Sequence, residues 1–595
     1  MFAFEGTSLI LAVTSWLALI YLFMEVFKSN IYEVWIVSLS ILVLGSFLTL
    51  LVLDFRALFF IKILLILGAV ALYFYKNQHK KQFPSKKTFF TALLFIAAPL
   101  LIVQHESYSY VFNWDDFSHW ARSVTLLVLD NGFGEFYFRH SMFDYYGPAS
   151  SVWHAYFQDS NSVNISVLYL SQIFWILASF MCIYGVSAIY TTNFLQKVLV
   201  LIVLAGLANT LTPYGHNLQV DILIGLGLAS TYMLYNYSKH SANRRIVDSS
   251  IVLFTIVLSK PIGFVAALQF AFINLLTKGV TKQEIIRNIA IVLLSSLGIL
   301  LWLLYIPENN PSTKSSSLFG EGFLQRIVWQ LGIFYDFFVA KIFHHGVLEK
   351  SHIVIFGGLF YSLVVSISNK SAKLFKIVFF SIVFYLTFLL FAYVIFFNGN
   401  GSNAGEALSL GSINRYFSVQ FYFLVPVMLV ETIKLHRQEK NDFALILLVI
   451  LVASYFFTKL FFLFLILAAF IIISPWTMPR KFLNKISIFL IPLVVVAFYY
   501  SYGIIEKKLI PSDEYMTNAK RLKEVGRRLR GYDGDKTIVV WDNFNTYHRL
   551  ATEYYSDYQY RNYEIINTEE YKSRVTSGKR LSSDAKVIFF NKNLD

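Results

Sequence analysis

Asn113-Trp114-Asp115-Asp116-Phe117-Ser118-His119-Trp120 opens the first long polar stretch of a chain that is otherwise mostly hydrocarbon-compatible, just after an apolar segment ending near Val103. A helix starting at Asn113 sets Asp115 and His119 four apart and Asp116 and His119 three apart, so two carboxylates and an imidazole share one face. Trp114 and Trp120 frame that face with rings that favour the edge of a bilayer. Acids beside a histidine at that depth suit proton abstraction next to a substrate carried on a lipid. The plainer reading is an Asn113 cap on a short helix, with first-turn acids complementing the dipole and tryptophans as anchors.

Outward from this stretch, 56% of the 595 residues are hydrophobic and 14% charged, which places the chain among multi-pass membrane proteins rather than soluble ones. The first apolar run, 7–27, lacks a basic n-region and a small-residue cleavage site, so it reads as a retained membrane helix. Cys182 is the single cysteine, which excludes an intramolecular disulfide and argues against a cysteine-rich metal site. The net charge of +14 comes largely from Lys/Arg clusters at 76–87, 239–245, 278–287, 370–376, 434–440 and 480–485. These fall between apolar runs, the pattern of cytoplasmic loops, and no recognition motif accompanies them, so no nucleic-acid partner is expected.

Taking those loops as inside gives about sixteen crossings with both termini outside, and three outer loops at 104–164, 307–351 and 398–415. The first loop, rich in aromatics such as Phe136, Tyr137 and Tyr146, predicts re-entrant or interfacial helices lying on the bilayer. Asp221 begins the span near 217–236, where a carboxylate should face a polar cavity or a partner, or else snorkel to the headgroups. Ser259-Lys260-Pro261 breaks the apolar run 249–276 into two short helices, leaving Lys260 at the turn as an interface anchor or a phosphate ligand. In the second loop an interfacial helix is expected over 318–343, followed by His344-His345, read as surface histidines. The third is glycine- and serine-rich and runs into Arg415 at a helix start, an anion cradle or a flexible loop with a snorkelling arginine.

Beyond residue 503 charged residues become frequent, and the pattern reads helix 512–530, strand 537–541, helix 546–556, strand 562–566, helix 568–575 and strand 585–590. That alternation predicts a small soluble α/β domain over 504–595 with a parallel sheet, an accessory lid or docking domain without a dinucleotide fingerprint. The rest divides into N-terminal spans, 1–88, and a main membrane domain, 89–503.

With these features placed, the chain resembles the GT-C superfamily of membrane glycosyltransferases. Trp114-Asp115-Asp116-Phe117-Ser118-His119-Trp120 is similar to the aromatic-Asp-acid-x-His-aromatic signature of protein O-mannosyltransferases and their bacterial relatives, with one extra residue before the histidine. The resemblance implies an all-α multi-pass fold and a polyprenyl-phosphate-linked sugar donor in the membrane lipid. It also implies a glycan, lipid or protein acceptor, and an active site on the non-cytoplasmic face of a bacterial inner or plasma membrane. Asp115 would be the general base, with Asp116, His119 or Asp221 orienting it or the acceptor, and Arg415 and Lys260 on the lipid phosphate. The displacement would invert the donor configuration; no organic cofactor is implied, and a divalent metal is left open. The competing expectation is a transporter or flippase, favoured by the broken helix at Lys260-Pro261.

Overall fold

The computed structural model describes residues 7–78, 96–104, 110–111, 119–141, 146–159, 162–191, 194–207, 218–307, 323–343, 349–368, 371–396, 410–436, 443–456, 513–529, 537–541, 551, 554–555, 564–577 and 586–590, less positions 29, 98, 219 and 411. Among these, eight helices are long and apolar enough to cross a membrane. The architecture is that of a predominantly α-helical membrane protein.

The chain begins with α1 (Thr7–Phe27), α2 (Ile31–Val52) and α3 (Ala57–Gln78), followed by the short helices α4 (Ala121–Leu129), α5 (Glu135–His140) and α6 (Ala149–Tyr156). Next come α7 (Ile165–Tyr190), α8 (Phe194–Leu207), α9 (Asp221–Tyr237), α10 (Ala242–Val257), α11 (Ile262–Lys278) and α12 (Lys282–Tyr305). After α13 (Phe323–Tyr335) the chain continues through a π-helical turn to Phe343, and a second π turn leads into α14 (Gly358–Ser368). The last long helices are α15 (Lys373–Phe396), α16 (Ile413–His436) and α17 (Phe443–Phe456). Local sequence sets several starts: Asn30, Asn164 and Thr281 accept hydrogen bonds from Tyr32, Val167 and Glu284 amides, satisfying donors that a first turn leaves open.

Helices α9 and α16 pack side by side in parallel: Asp221 meets Arg415, Gly225 lies against Val419, and Tyr232 and Tyr237 donate to Glu431. A Cβ on Gly225 would stand 2.5 Å from the Val419 carbonyl oxygen and 2.7 Å from the Tyr422 Cβ, so the approach of the two backbones requires glycine. Helix α11 runs the same way. The Gln269 and Gln420 amides exchange hydrogen bonds of 2.9 and 3.0 Å between α11 and α16, and Asn274 bridges Asn236 at 3.2 Å and Asn288 at 3.3 Å. Each such pin contributes on the order of 1 kcal/mol, and its main effect is to fix register.

These three helices give the bundle two ends. The Glu431 end collects Lys278, Lys373, Lys434, Arg245 and Arg287, linked through Tyr235, Tyr237 and Glu284. The Asp221 end carries the helix starts. Helices α4 and α6, in the stretch where re-entrant or interfacial helices are expected, pack inside the protein: all eight residues of α6 are buried, against α2 and α7. The physical reason is that the polar groups of α6 also find partners inside: the Trp153 Nε1 donates to the Ser171 carbonyl at 2.7 Å, and the His154 Nδ1 lies 2.6 Å from the Ser171 hydroxyl. The helix expected over 318–343 is described from Phe323 onward; His344, His345 and the runs 460–475 and 486–503 lie outside the described residues.

In the C-terminal part, α18 (Asp513–Leu529) precedes a three-stranded parallel sheet of order β2-β1-β3, with α19 (Thr568–Thr576) between the last two strands in sequence. The strands are β1 (Thr537–Trp541), β2 (Glu564–Ile566) and β3 (Lys586–Phe590), with Ile538 opposite both Glu564 and Val587. The five residues of β1 are buried, as the middle of a parallel sheet requires. This part contacts the segment ahead of α4: the Val111 amide donates to the Tyr555 hydroxyl at 3.1 Å, and the Lys523 ammonium sits 5.0 Å from the Tyr110 ring centre.

Candidate functional site

The site assembles where the chain breaks between α10 and α11. Pro261 supplies no amide and carries a φ already suited to a first helical turn, so α11 starts cleanly behind it and Lys260 stands at the turn. The Leu258 carbonyl, released at the end of α10, accepts the Ala149 amide at 3.1 Å. Gly147 lies so close that a Cβ there would fall 1.9 Å from the same oxygen. The loop before α6 is thereby pressed onto the break, and Tyr146 is delivered beside Lys260, whose Nζ lies 5.4 Å from its ring centre.

Asp221, the first residue of α9, receives this lysine: Lys260 Nζ is 3.0 Å from Oδ1 and 3.3 Å from Oδ2. Arg415, one turn before the Val419 contact, brings Nε to 3.6 Å from Oδ2 of the same carboxylate. Asp221 and Lys260 are almost wholly buried, whereas the Arg415 side chain keeps 28% of its exposure. Tyr416 forms the second wall, 5.4 Å from Lys260 Nζ and 5.5 Å from Arg415 Cζ, and its carbonyl accepts the Tyr385 hydroxyl at 2.8 Å. Both cations therefore sit over aromatic faces, which attract positive charge without neutralising it.

Among the described residues two cations, Lys260 and Arg415, face the one carboxylate of Asp221. The N-termini of α9, α11 and α16 converge on the same place, each adding a partial positive charge from its unsatisfied amides. The arrangement can hold an anion, and the exposed edge of Arg415 is where one would reach it.

The motif's end joins this cluster. His119 and Trp120 form a π-helical turn ahead of α4, and both rings stack on Tyr146, at centroid distances of 5.5 and 5.7 Å. Arg122 fixes the start of α4 by donating to the His140 carbonyl from Nε at 2.9 Å and Nη2 at 2.7 Å. Of the six residues singled out from sequence, His119, Asp221, Lys260 and Arg415 are thus brought together, with Tyr146 as the connector. Asp115 and Asp116 lie outside the described residues. Among the described residues no three His, Cys, Asp or Glu side chains group as a metal site.

Sequence reasoning passed over Tyr146 and Tyr416, which carry no motif, and Glu431. The last had a signal: it is a carboxylate inside an apolar helix, the same criterion that drew attention to Asp221. Glu431 Oε1 accepts from Tyr232 at 3.0 Å, from Tyr237, and from Lys373 at 2.6 Å.

Comparison of the chain with known families, with curated proteins and with solved structures finds no match.

Proposed function

We propose that this chain is a membrane glycosyltransferase of the GT-C kind, transferring a sugar from a polyprenyl-phosphate donor to a glycan, lipid or protein acceptor. The observation that carries this reading is the gathering of Lys260 and Arg415 on Asp221 where three helices start, with the end of the His119-Trp120 motif stacked beside it. The basic residues of the Glu431 end belong in the cytoplasm by the positive-inside rule, so the Asp221 end faces the opposite side. On this reading about sixteen spans cross the membrane, the C-terminal α/β part is a soluble domain on that same outer side, and the membrane is a bacterial inner or plasma membrane.

In the reaction, the Asp115 carboxylate takes the proton of the acceptor hydroxyl as that oxygen bonds to the anomeric carbon. The bond from that carbon to the phosphate oxygen breaks, and the lipid phosphate leaves with its electron pair. Arg415 and Lys260 hold the charge that grows on it. Asp116 and His119 orient the base or the acceptor, and Asp221 keeps the two cations in place. Attack from the face opposite the phosphate inverts the anomeric configuration.

A transporter or flippase is the second reading, favoured by the buried amide pairs Gln269–Gln420 and Asn236–Asn274–Asn288 along the same helices. The deciding experiment presents radiolabelled polyprenyl-phosphate-sugars to the purified protein in liposomes. Glycosyl transfer predicts label in a new glycosidic bond and free polyprenyl phosphate, and a loss of roughly 10²- to 10⁴-fold in Asp115→Asn with donor binding kept. Movement of intact donor across the bilayer, with no bond made, would replace this reading with the second one.

A further inference from the structure

Next to Arg415 the helix start is tied to a distant outer segment through one carboxylate. Glu349 divides its two oxygens: Oε1 meets Lys341 Nζ at 2.7 Å, and Oε2 accepts from Asn414 Nδ2 at 3.1 Å. Asn414 is also held from behind, its Oδ1 accepting the Ser351 amide at 3.1 Å. The Glu349 amide donates to His352 Nδ1 at 2.8 Å, which leaves Nε2 to carry the ring proton and donate to the Phe337 carbonyl at 2.9 Å. Phe337 and Lys341 both belong to the aromatic segment that continues α13 through its π-helical turn.

We propose that Glu349 is a positioning residue for Arg415, the hub of a latch that joins the aromatic segment to the arginine through Lys341 on one side and Asn414 on the other. Its consequence for donor binding rests on the phosphate reading above; the latch itself does not. Asn414 and Arg415 are consecutive in the first turn of α16, so the backbone from which the arginine projects is set by how Asn414 is held. The Lys341–Glu349 pair keeps about a third of its exposure on both sides. A pair so exposed adds little to global stability, so opening it changes where Arg415 stands and leaves the fold intact. The aromatic segment has its own reason to respond to surroundings: Val328, Leu331 and Tyr335 form an exposed apolar stripe, while Gln330 and Phe334 face the protein. Lipid contact along that stripe is transmitted to the arginine through the latch.

The test uses the full-length protein in lipid nanodiscs, with Glu349→Gln, Asn414→Leu, Lys341→Met and the conservative Lys341→Arg. The rate at which phenylglyoxal modifies Arg415, read by peptide mass, reports the guanidinium's surroundings whatever the protein's reaction. It should rise about threefold or more in the first three variants, the change expected from an exposed ion pair, and stay at the wild-type value in Lys341→Arg. The thermal midpoint should not move. If Asn414→Leu fails to fold, Lys341→Met decides the matter. Equal Arg415 rates in wild type, Glu349→Gln and Lys341→Met would overturn the proposal. Affinity for undecaprenyl phosphate, measured on the same samples, should fall with the latch open. A wild type that binds no undecaprenyl phosphate, together with faster Arg415 modification in the variants, removes the phosphate reading and keeps the latch.

Discussion

The two ends of the parallel helices α9 and α16 each bury a carboxylate, and they treat it differently. Asp221 is held by two cations, Lys260 and Arg415. Glu431 is held by two phenols and one lysine, so its charge is matched by Lys373 and the remaining bonds are neutral donors. A buried acid that only needs to be satisfied can be satisfied by hydroxyls. At Asp221 the second cation, Arg415, is left partly exposed. Burial of an ionisable group in an apolar helix marks importance, and the two ends differ in what holds it: cations on Asp221, phenols and a lysine on Glu431.

The comparison breaks most visibly in stability. Asp221→Asn removes the compensation of two cations, one of them fully buried, and should destabilise the protein by about 3–5 kcal/mol, read as a large drop in the thermal midpoint in detergent. Much of that loss should return in the double variant Asp221→Asn/Lys260→Met, since the buried charge goes with its partner. Glu431→Gln keeps an acceptor for both phenols, and Lys373 can turn to solvent, so its cost should be about 1–3 kcal/mol. Equal losses for Asp221→Asn and Glu431→Gln would mean that the two ends are held in the same way.

Much of this was legible in the sequence, for physical reasons that are local. The helix break at Lys260 follows from Pro261, the long apolar runs from hydropathy, and β1 and β3 from β-branched and aromatic residues between polar turns. Asp221, Lys260 and Arg415 stood out because charge is rare in such segments. That they pair with one another did not, because Lys260 lies 39 residues from Asp221 in sequence and the register that joins α9 to α16 is set by the Gly225–Val419 approach. No local pattern encodes that approach. How α6 packs was not legible, because a loop rich in aromatics reads the same whether its rings meet lipid headgroups or a protein interior. The Glu349–Asn414 link had no signal at all, since both residues are ordinary polar side chains next to helix starts.

The smallest expected effect concerns pH at the latch. The Lys341 ammonium beside Glu349 holds its carboxyl below the usual glutamate range, with Asn414 adding to the effect. A folded pKa below the unfolded one means that the contribution is complete above about pH 4.3 and is lost as pH falls through the lower folded value. Lys341 and His352 are the titratable groups facing it. The ratio of Arg415 modification rates between wild type and Glu349→Gln should therefore hold steady from about pH 8 down to pH 6 and close only in strong acid. Closure already between pH 8 and pH 6 would mean that a group other than the Glu349 carboxylate controls the latch.

The central claim is that the Asp221 end, and not the Glu431 end, receives a lipid phosphate. Its most direct measurement is the affinity of the nanodisc-held protein for undecaprenyl phosphate in Arg415→Ala and in Glu431→Gln, each compared with wild type. Losing charge-assisted bonds of about 1.5–3 kcal/mol should weaken binding roughly 10- to 100-fold in Arg415→Ala, and Glu431→Gln should bind as wild type does. Unchanged affinity in Arg415→Ala, or a loss confined to Glu431→Gln, would contradict the account.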